Sequence, residues 1–214
     1  MVSRRIGRYT PALLPRDAMH PDAEKLLADY PTIAMVEAFI TDCNGAARGK
    51  WLPIEKLSSL LTDGIKLPKS AIAQDAWGRD VPSIALDNGD IDGWCQAVPG
   101  SLKPLLGSNG VDQAQVILTM FKDDGSPLLS DPRQVLSRVA QALKDRGLYP
   151  RVAIELEFNL FDRQTAGQSI RDALPKESQT GGNLYGLSAL DEHQPLLDAL
   201  REYFDTQQLP YERV

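Results

Sequence analysis

The strongest constraint on this chain lies between residues 116 and 161, where two apolar segments bracket one well-punctuated helix. Val116 to Phe121 (Val-Ile-Leu-Thr-Met-Phe) is a near-continuous apolar run, which predicts a buried strand. Asp123-Asp124-Gly125-Ser126 then turns the chain. The next segment predicts a helix over 131–146. Asp131 can cap it, Pro132 suits its first position, Gly147 suits its C-terminal stop, and Val135, Leu136, Val139 and Leu143 form a buried stripe. After it, Arg151 to Phe161 alternates as a strand does. Val152, Ile154, Leu156, Phe158 and Leu160 share one apolar face, while Ala153, Glu155, Glu157, Asn159 and Phe161 share the other.

The flanking sequence reads less regularly. Residues 1–20 are basic and hold prolines, which predicts an extended arm, and 22–29 predict a short helix that stops before Pro31. Thr32 to Thr41 predicts a strand, Asp42-Cys43-Asn44-Gly45 a turn, and a second strand runs through Lys50 and Trp51. Ile54, Leu57, Leu60 and Leu61 sit at helical spacing between Pro53 and Gly64. Short strands and long loops are expected over 65–113, a polar loop over 163–183, and a last helix over 191–207 with Leu196, Leu197, Leu200, Tyr203 and Phe204 inward. Helices and strands mix without regular βαβ alternation, so the expected class is α+β.

Composition excludes several functions. The 214 residues are 43% hydrophobic and 24% charged, which is ordinary for a globular chain. The net charge of −6 argues against a nucleic-acid partner, which would require a basic stripe. No apolar run is long enough for a membrane span, and no apolar segment follows Arg4, Arg5 and Arg8 as an export signal requires. Cys43 and Cys95 stand alone, without metal-ligand or disulfide-framework spacing, so a reducing cytoplasm is the expected location. His20 and His193 are the two histidines, each read as a solvated surface residue. Gly45-Ala-Ala-Arg-Gly49-Lys50-Trp51 fails as a phosphate loop, because it has three residues between the glycines and no Ser or Thr after the lysine.

Two carboxylates remain as chemistry. On a strand, Glu155 and Glu157 stand about 6–7 Å apart on one face, at roughly 3.3 Å rise per residue. Adjacent carboxylates suit hard divalent cations. From the residues alone, a wet strand face that happens to carry two glutamates is the favoured account of them.

Resemblance to a known family adds to this reading. Glu155-Leu-Glu157-Phe-Asn-Leu-Phe161-Asp162, after Gly147-Leu-Tyr-Pro150, resembles the start of the catalytic domain of the glutamine synthetase family. Thr41-Asp42-Cys43-Asn44-Gly45 through Pro53 is similar to a turn in that family's small β-grasp domain. Val98-Pro99-Gly100-Ser101-Leu102 is similar to its Pro-Gly-Thr/Ser-Leu element. Leu118-Thr119-Met120 through Asp131-Pro132-Arg133 is similar to its domain junction. Within the family the resemblance is to the γ-glutamylpolyamine branch, the γ-glutamylputrescine synthetases.

The resemblance implies an arm and short helix over 1–30, a β-grasp domain over 31–126, and an incomplete N-terminal part of the catalytic domain over 127–214. It implies ATP-dependent joining of the γ-carboxylate of glutamate to an amine such as putrescine, through γ-glutamyl phosphate. Glu155 and Glu157 would hold Mg²⁺ or Mn²⁺. Full-length members assemble as homo-oligomeric rings. Ala73-Gln74-Asp75-Ala76-Trp77-Gly78 stands where typical members have Phe-Asp-Gly-Ser-Ser. Asp75 either matches the aspartate that helps bind ammonium there or closes a turn, and the missing Gly-Ser-Ser favours a larger amine. Further metal, ATP and glutamate residues of the family lie beyond the counterpart of Val214, so the chain is expected to be the N-terminal part of a longer enzyme, inactive alone. The alternatives are a glutamine synthetase using ammonia and a non-catalytic assembly or regulatory module of the same family.

Overall fold

A computed structural model describes residues 19–85, 89–107, 110–158, 160 and 186–211. The chain divides into two compact units, Met1–Tyr149 and Pro150–Val214. The arm expected over 1–18 and the loop expected over 163–183 lie outside the described residues.

The first unit is built on a six-stranded mixed sheet. Its strands are β1 (Met35–Thr41), β2 (Ala47–Pro53), β3 (Ile65–Pro68), β4 (Asp92–Ala97), β5 (Lys103–Gly107) and β6 (Gly110–Phe121), in the order β2-β1-β6-β4-β3. β1 and β2 form the antiparallel hairpin expected around Asp42–Gly45, in register from Met35 opposite Pro53 to Thr41 opposite Ala47. β1 then lies parallel to β6, with Val36 beside Ala114 and Ala38 beside Val116. β4 and β5 both run antiparallel to β6, β4 against residues 118–121 and β5 against residues 110–115. Between them, Val98 to Leu102 interrupts the ladder. The Ser101 hydroxyl bridges the break, donating to the Val98 carbonyl at 2.7 Å and accepting the Ile117 N–H at 3.1 Å. That is a structural reason for a hydroxyl residue after Pro99-Gly100.

Helices cover one face of the sheet. α1 (Pro21–Asp29) and α2 (Leu57–Asp63, continuing a 3₁₀ turn at Ile54–Lys56) contribute Leu26, Leu57 and Leu60 to the same core as Val36, Ala38, Ile40, Val116, Leu118 and Met120. Each such leucine or isoleucine contributes about 1.5–3 kcal/mol on full burial. β6 is therefore not buried on both sides, as its apolar run suggested. Val116, Leu118 and Met120 are fully buried, while Ile117, Thr119 and Phe121 are half-buried on the opposite face. His20 caps α1, its Nδ1 accepting the Asp22 N–H at 3.2 Å, rather than standing free in solvent. Gly64 ends α2 at φ +72°, where a Cβ would also strike the Cys95 carbonyl. Between β3 and β4 come a 3₁₀ turn at Lys69–Ile72 and the short helix α3 (Pro82–Ala85).

α4 (Pro132–Lys144) starts where its cap signals placed it. The Asp131 carboxylate, buried to 1% exposure, accepts the Arg133 N–H at 2.8 Å and the Met120 N–H at 2.6 Å, so it caps the helix and pins it to the end of β6. Gln134 adds a bond to the Met120 carbonyl. The apolar stripe expected to be buried is not: Val135, Leu136 and Val139 are exposed, Leu136 to 65%. Helical spacing marks an apolar face but needs a second element to cover it, and none of the described residues of this unit does so.

The second unit holds the other departure. Residues 151–158 form no strand, and Val152, Ile154, Leu156 and Phe158 are 63–85% exposed. Alternation becomes a strand only against a hydrogen-bonding neighbour, and among the described residues none pairs with this segment. The last helix appears as two, α5 (Leu187–Glu192) and α6 (Gln194–Gln207). In α6, Leu197, Leu200, Tyr203 and Phe204 are half-buried as expected, whereas Leu196 is exposed.

Candidate functional site

The densest polar construction in the first unit joins two segments thirty residues apart. Asp42 ends the first strand of the hairpin with its side chain fully buried. Its Oδ1 accepts the N–H groups of Asn44 and Ala46, each at 2.8 Å, and its Oδ2 accepts Arg48 Nε at 2.9 Å. Burial pushes the Asp42 pKa up, but the Ala46, Arg48 and Asn44 bonds and the Arg48 charge outweigh it and leave it below the ordinary aspartate value. With its backbone fixed in this way, Asn44 turns its side-chain amide to the loop at 74–80. Nδ2 donates to the Gln74 carbonyl at 3.0 Å and to the Asp75 carbonyl at 3.1 Å.

Asp75 closes that loop on itself. Oδ1 accepts the Trp77 and Arg79 N–H groups at 2.9 and 3.0 Å, and Oδ2 accepts Arg79 Nε at 2.9 Å, with a terminal guanidinium nitrogen of the ion pair also 2.9 Å away. The Arg79 N–H bond leads in holding its pKa below the ordinary value, with the Trp77 N–H and the guanidinium adding to it. The Gly78 N–H returns to the Asp75 carbonyl at 2.9 Å, with Gly78 at φ +77°. Of the two readings of Asp75, the geometry described here is that of the turn residue. The tip of the loop carries Trp77, 80% exposed, with the Arg79 guanidinium 5.2 Å from its ring centroid. An aspartate that bonds its own backbone two residues on is a common turn device, and it makes a turn at Asp75 readable from the sequence. The parts played by Trp77, Arg79 and the Asn44 latch were not legible, because no residue pattern marks the first two and nothing in the Asn44 segment names the loop.

Glu155 and Glu157 lie in the second unit, both exposed, within the segment that forms no strand. Among the described residues no group of three or more His, Cys, Asp or Glu gathers as a metal site. Two carboxylates offer the hard oxygen donors that Mg²⁺ or Mn²⁺ takes, and they supply part of the six or so ligands such an ion requires. The donor chemistry thus fits, with the shell incomplete among the described residues.

The description "Glutamine synthetase, catalytic domain" matches residues 129–214. Over 202 residues, 90% of this chain, the sequence is 34% identical to the gamma-glutamylputrescine synthetase PuuA of Escherichia coli. The chain belongs to the glutamine synthetase family. It spans 42% of the length of PuuA. A gamma-glutamylethanolamide synthetase of Streptomyces coelicolor is 32% identical over 124 residues, 56% of this chain and 26% of that protein. Among solved structures, a GmaS/ADP complex superposes with a TM-score of 0.47 at 18% identity, over 58% of this chain and 26% of that one. For this glutamine synthetase family chain, the catalytic-domain match opens beside the Asp131 cap and takes in Glu155 and Glu157, whereas the Asp42–Asn44–Asp75 construction precedes it. No helix among the described residues is long and apolar enough to cross a membrane.

Proposed function

We propose that the protein carrying this chain joins the γ-carboxylate of glutamate to an amine, with a polyamine such as putrescine preferred to ammonia. ATP would phosphorylate the carboxylate, and the amine would then displace phosphate. The observation that carries this reading is the 34% identity to a γ-glutamylputrescine synthetase over 90% of the chain, against 25% over 72% for a glutamine synthetase of Staphylococcus epidermidis.

Glu155 and Glu157 are assigned to the divalent cations, Mg²⁺ or Mn²⁺, which would neutralise the two anions that meet in the first step. The sheet with its central parallel β1–β6 pair and covering α2 supports the β-grasp assignment for residues 31–126. The remaining parts of the reading are catalytic-domain residues over 127–214, a homo-oligomeric ring and a cytoplasmic location. Asp75 is assigned a part on the amine side, through the loop that it shapes.

The 214-residue chain spans 42% of the length of PuuA, and it is expected not to ligate alone. The test is phosphate release from ATP with glutamate and putrescine, by the complete gene product and by this chain. Release by the complete product, lost in Glu155→Gln and Glu157→Gln, is the expected result. Undiminished release in both variants would overturn the metal assignment.

A further inference from the structure

Loop 74–80 is built in a way that stability does not explain. A tryptophan 80% exposed buries little apolar surface, yet the backbone beneath it is fixed from several directions. The Asp75 and Gly78 N–H groups bond within the loop, Val81 N–H returns to the Ala73 carbonyl, and Asn44 clamps both Gln74 and Asp75. The indole is thus held out on a preorganised support.

What that indole attracts is already on display. A guanidinium sits 5.2 Å from its centroid, within the range over which an aromatic face attracts a cation. The nearby carboxylate is already paired inside the loop. Asp75 Oδ1 accepts the Trp77 and Arg79 N–H groups and Oδ2 accepts Arg79 Nε, so the Arg79 charge offsets that of Asp75. Among the described residues, the exposed group left without a partner outside the loop is the open face of Trp77.

We propose that the exposed indole face of Trp77, presented by the Asn44-latched loop, binds an alkylammonium ion, with the Arg79 guanidinium as its competitor inside the chain. The ligand class follows from the amine-ligase reading and rests on it. Trp77 would then be a specificity-determining residue on the amine side, Asp75 and Asn44 would be positioning residues, and no bond is made or broken at the loop.

The experiment titrates the 214-residue chain with putrescine at constant ionic strength, without ATP or glutamate, following the indole N–H resonances of Trp51, Trp77 and Trp94. A saturable shift of the Trp77 signal is expected, absent with butane-1,4-diol, which has the same length and no charge. By calorimetry, Trp77→Leu should bind putrescine about two- to fivefold more weakly, the range for an exposed cation–π contact. Arg79→Gln should bind it more tightly. Trp77 is so exposed that its replacement leaves the fold intact, and circular dichroism checks this. An unmoved Trp77 signal, an equal shift with the diol, or unchanged affinity in Trp77→Leu overturns the proposal. The titration is independent of turnover. Amine ligation by the complete gene product without the shift defeats this inference alone, and the shift in a protein that ligates no amine defeats the ligase reading alone.

Discussion

Replacing Asp42 by alanine tests whether one buried carboxylate organises the polar side of the first unit. The side chain is fully buried and accepts three bonds, from the Asn44 and Ala46 N–H groups and from Arg48 Nε. A bond to a charged acceptor contributes about 1.5–3 kcal/mol. Arg48 is 40% exposed and regains water when its partner is lost, so its share falls to about 0–1 kcal/mol. Asn44 is exposed and its N–H can also rehydrate, which leaves the half-buried Ala46 N–H as the costliest orphan. The net loss for Asp42→Ala is about 2–4 kcal/mol, and Asp42→Asn, which keeps an acceptor oxygen, should lose about 1–2 kcal/mol.

The sign of the pH dependence follows from the lowered pKa. The Asp42 contribution is present above the unfolded aspartate pKa and is lost as pH falls through the lower folded value. Urea unfolding of the chain, followed by tryptophan fluorescence at neutral pH and below about pH 4, reads both effects. Parent stability should fall in acid, and the variants should fall less. An Asp42→Ala variant within about 0.5 kcal/mol of the parent at neutral pH, the range of an ordinary surface substitution, would refute the reasoning. So would an acid slope identical to the parent's.

Asp131→Ala removes a helix cap and leaves the buried Met120 N–H unpaired, so thermal unfolding should show a loss of about 2–4 kcal/mol. A Cβ at position 49 would collide with the Ala38 carbonyl across the β1–β2 pair, and Gly49→Ala should therefore reduce folded yield, measured by hydrogen exchange of the hairpin amides. Cys95 is fully buried, and burial first, then the Asp131 charge, pushes its thiol up to about 12, whereas Cys43 is exposed. A thiol reagent should accordingly label one cysteine in the native chain and both in denaturant, as mass spectrometry would read. In the complete gene product, Glu157→Gln should lower ligase activity more than about a hundredfold, beyond the 10–100-fold typical of residues one shell from a metal.

The local signals in the sequence translated well into structure where one segment settles its own conformation. Asp131-Pro132 placed the start of α4, Gly64 stopped α2, and Asp42 to Gly45 made the hairpin turn. Faces were less legible, because burial belongs to pairs of elements. The Val135–Val139 stripe and the Val152–Phe158 alternation are apolar in the pattern of buried faces, yet both are exposed. The two glutamates of the candidate metal site stood out by their spacing and gained their metal role through resemblance, while the contact between Asn44 and the Asp75 loop required the folded chain, since it joins residues 30 and 31 positions apart.

The central claim is an amine-accepting ligase of the glutamine synthetase family. Its most direct test gives the complete gene product ATP, Mg²⁺, glutamate and equal concentrations of putrescine and ammonium, and identifies the amide product by mass spectrometry. The account predicts γ-glutamylputrescine as the dominant product, formed with stoichiometric phosphate. Glutamine as the dominant product, or no ATP-dependent amide with either acceptor, would contradict it.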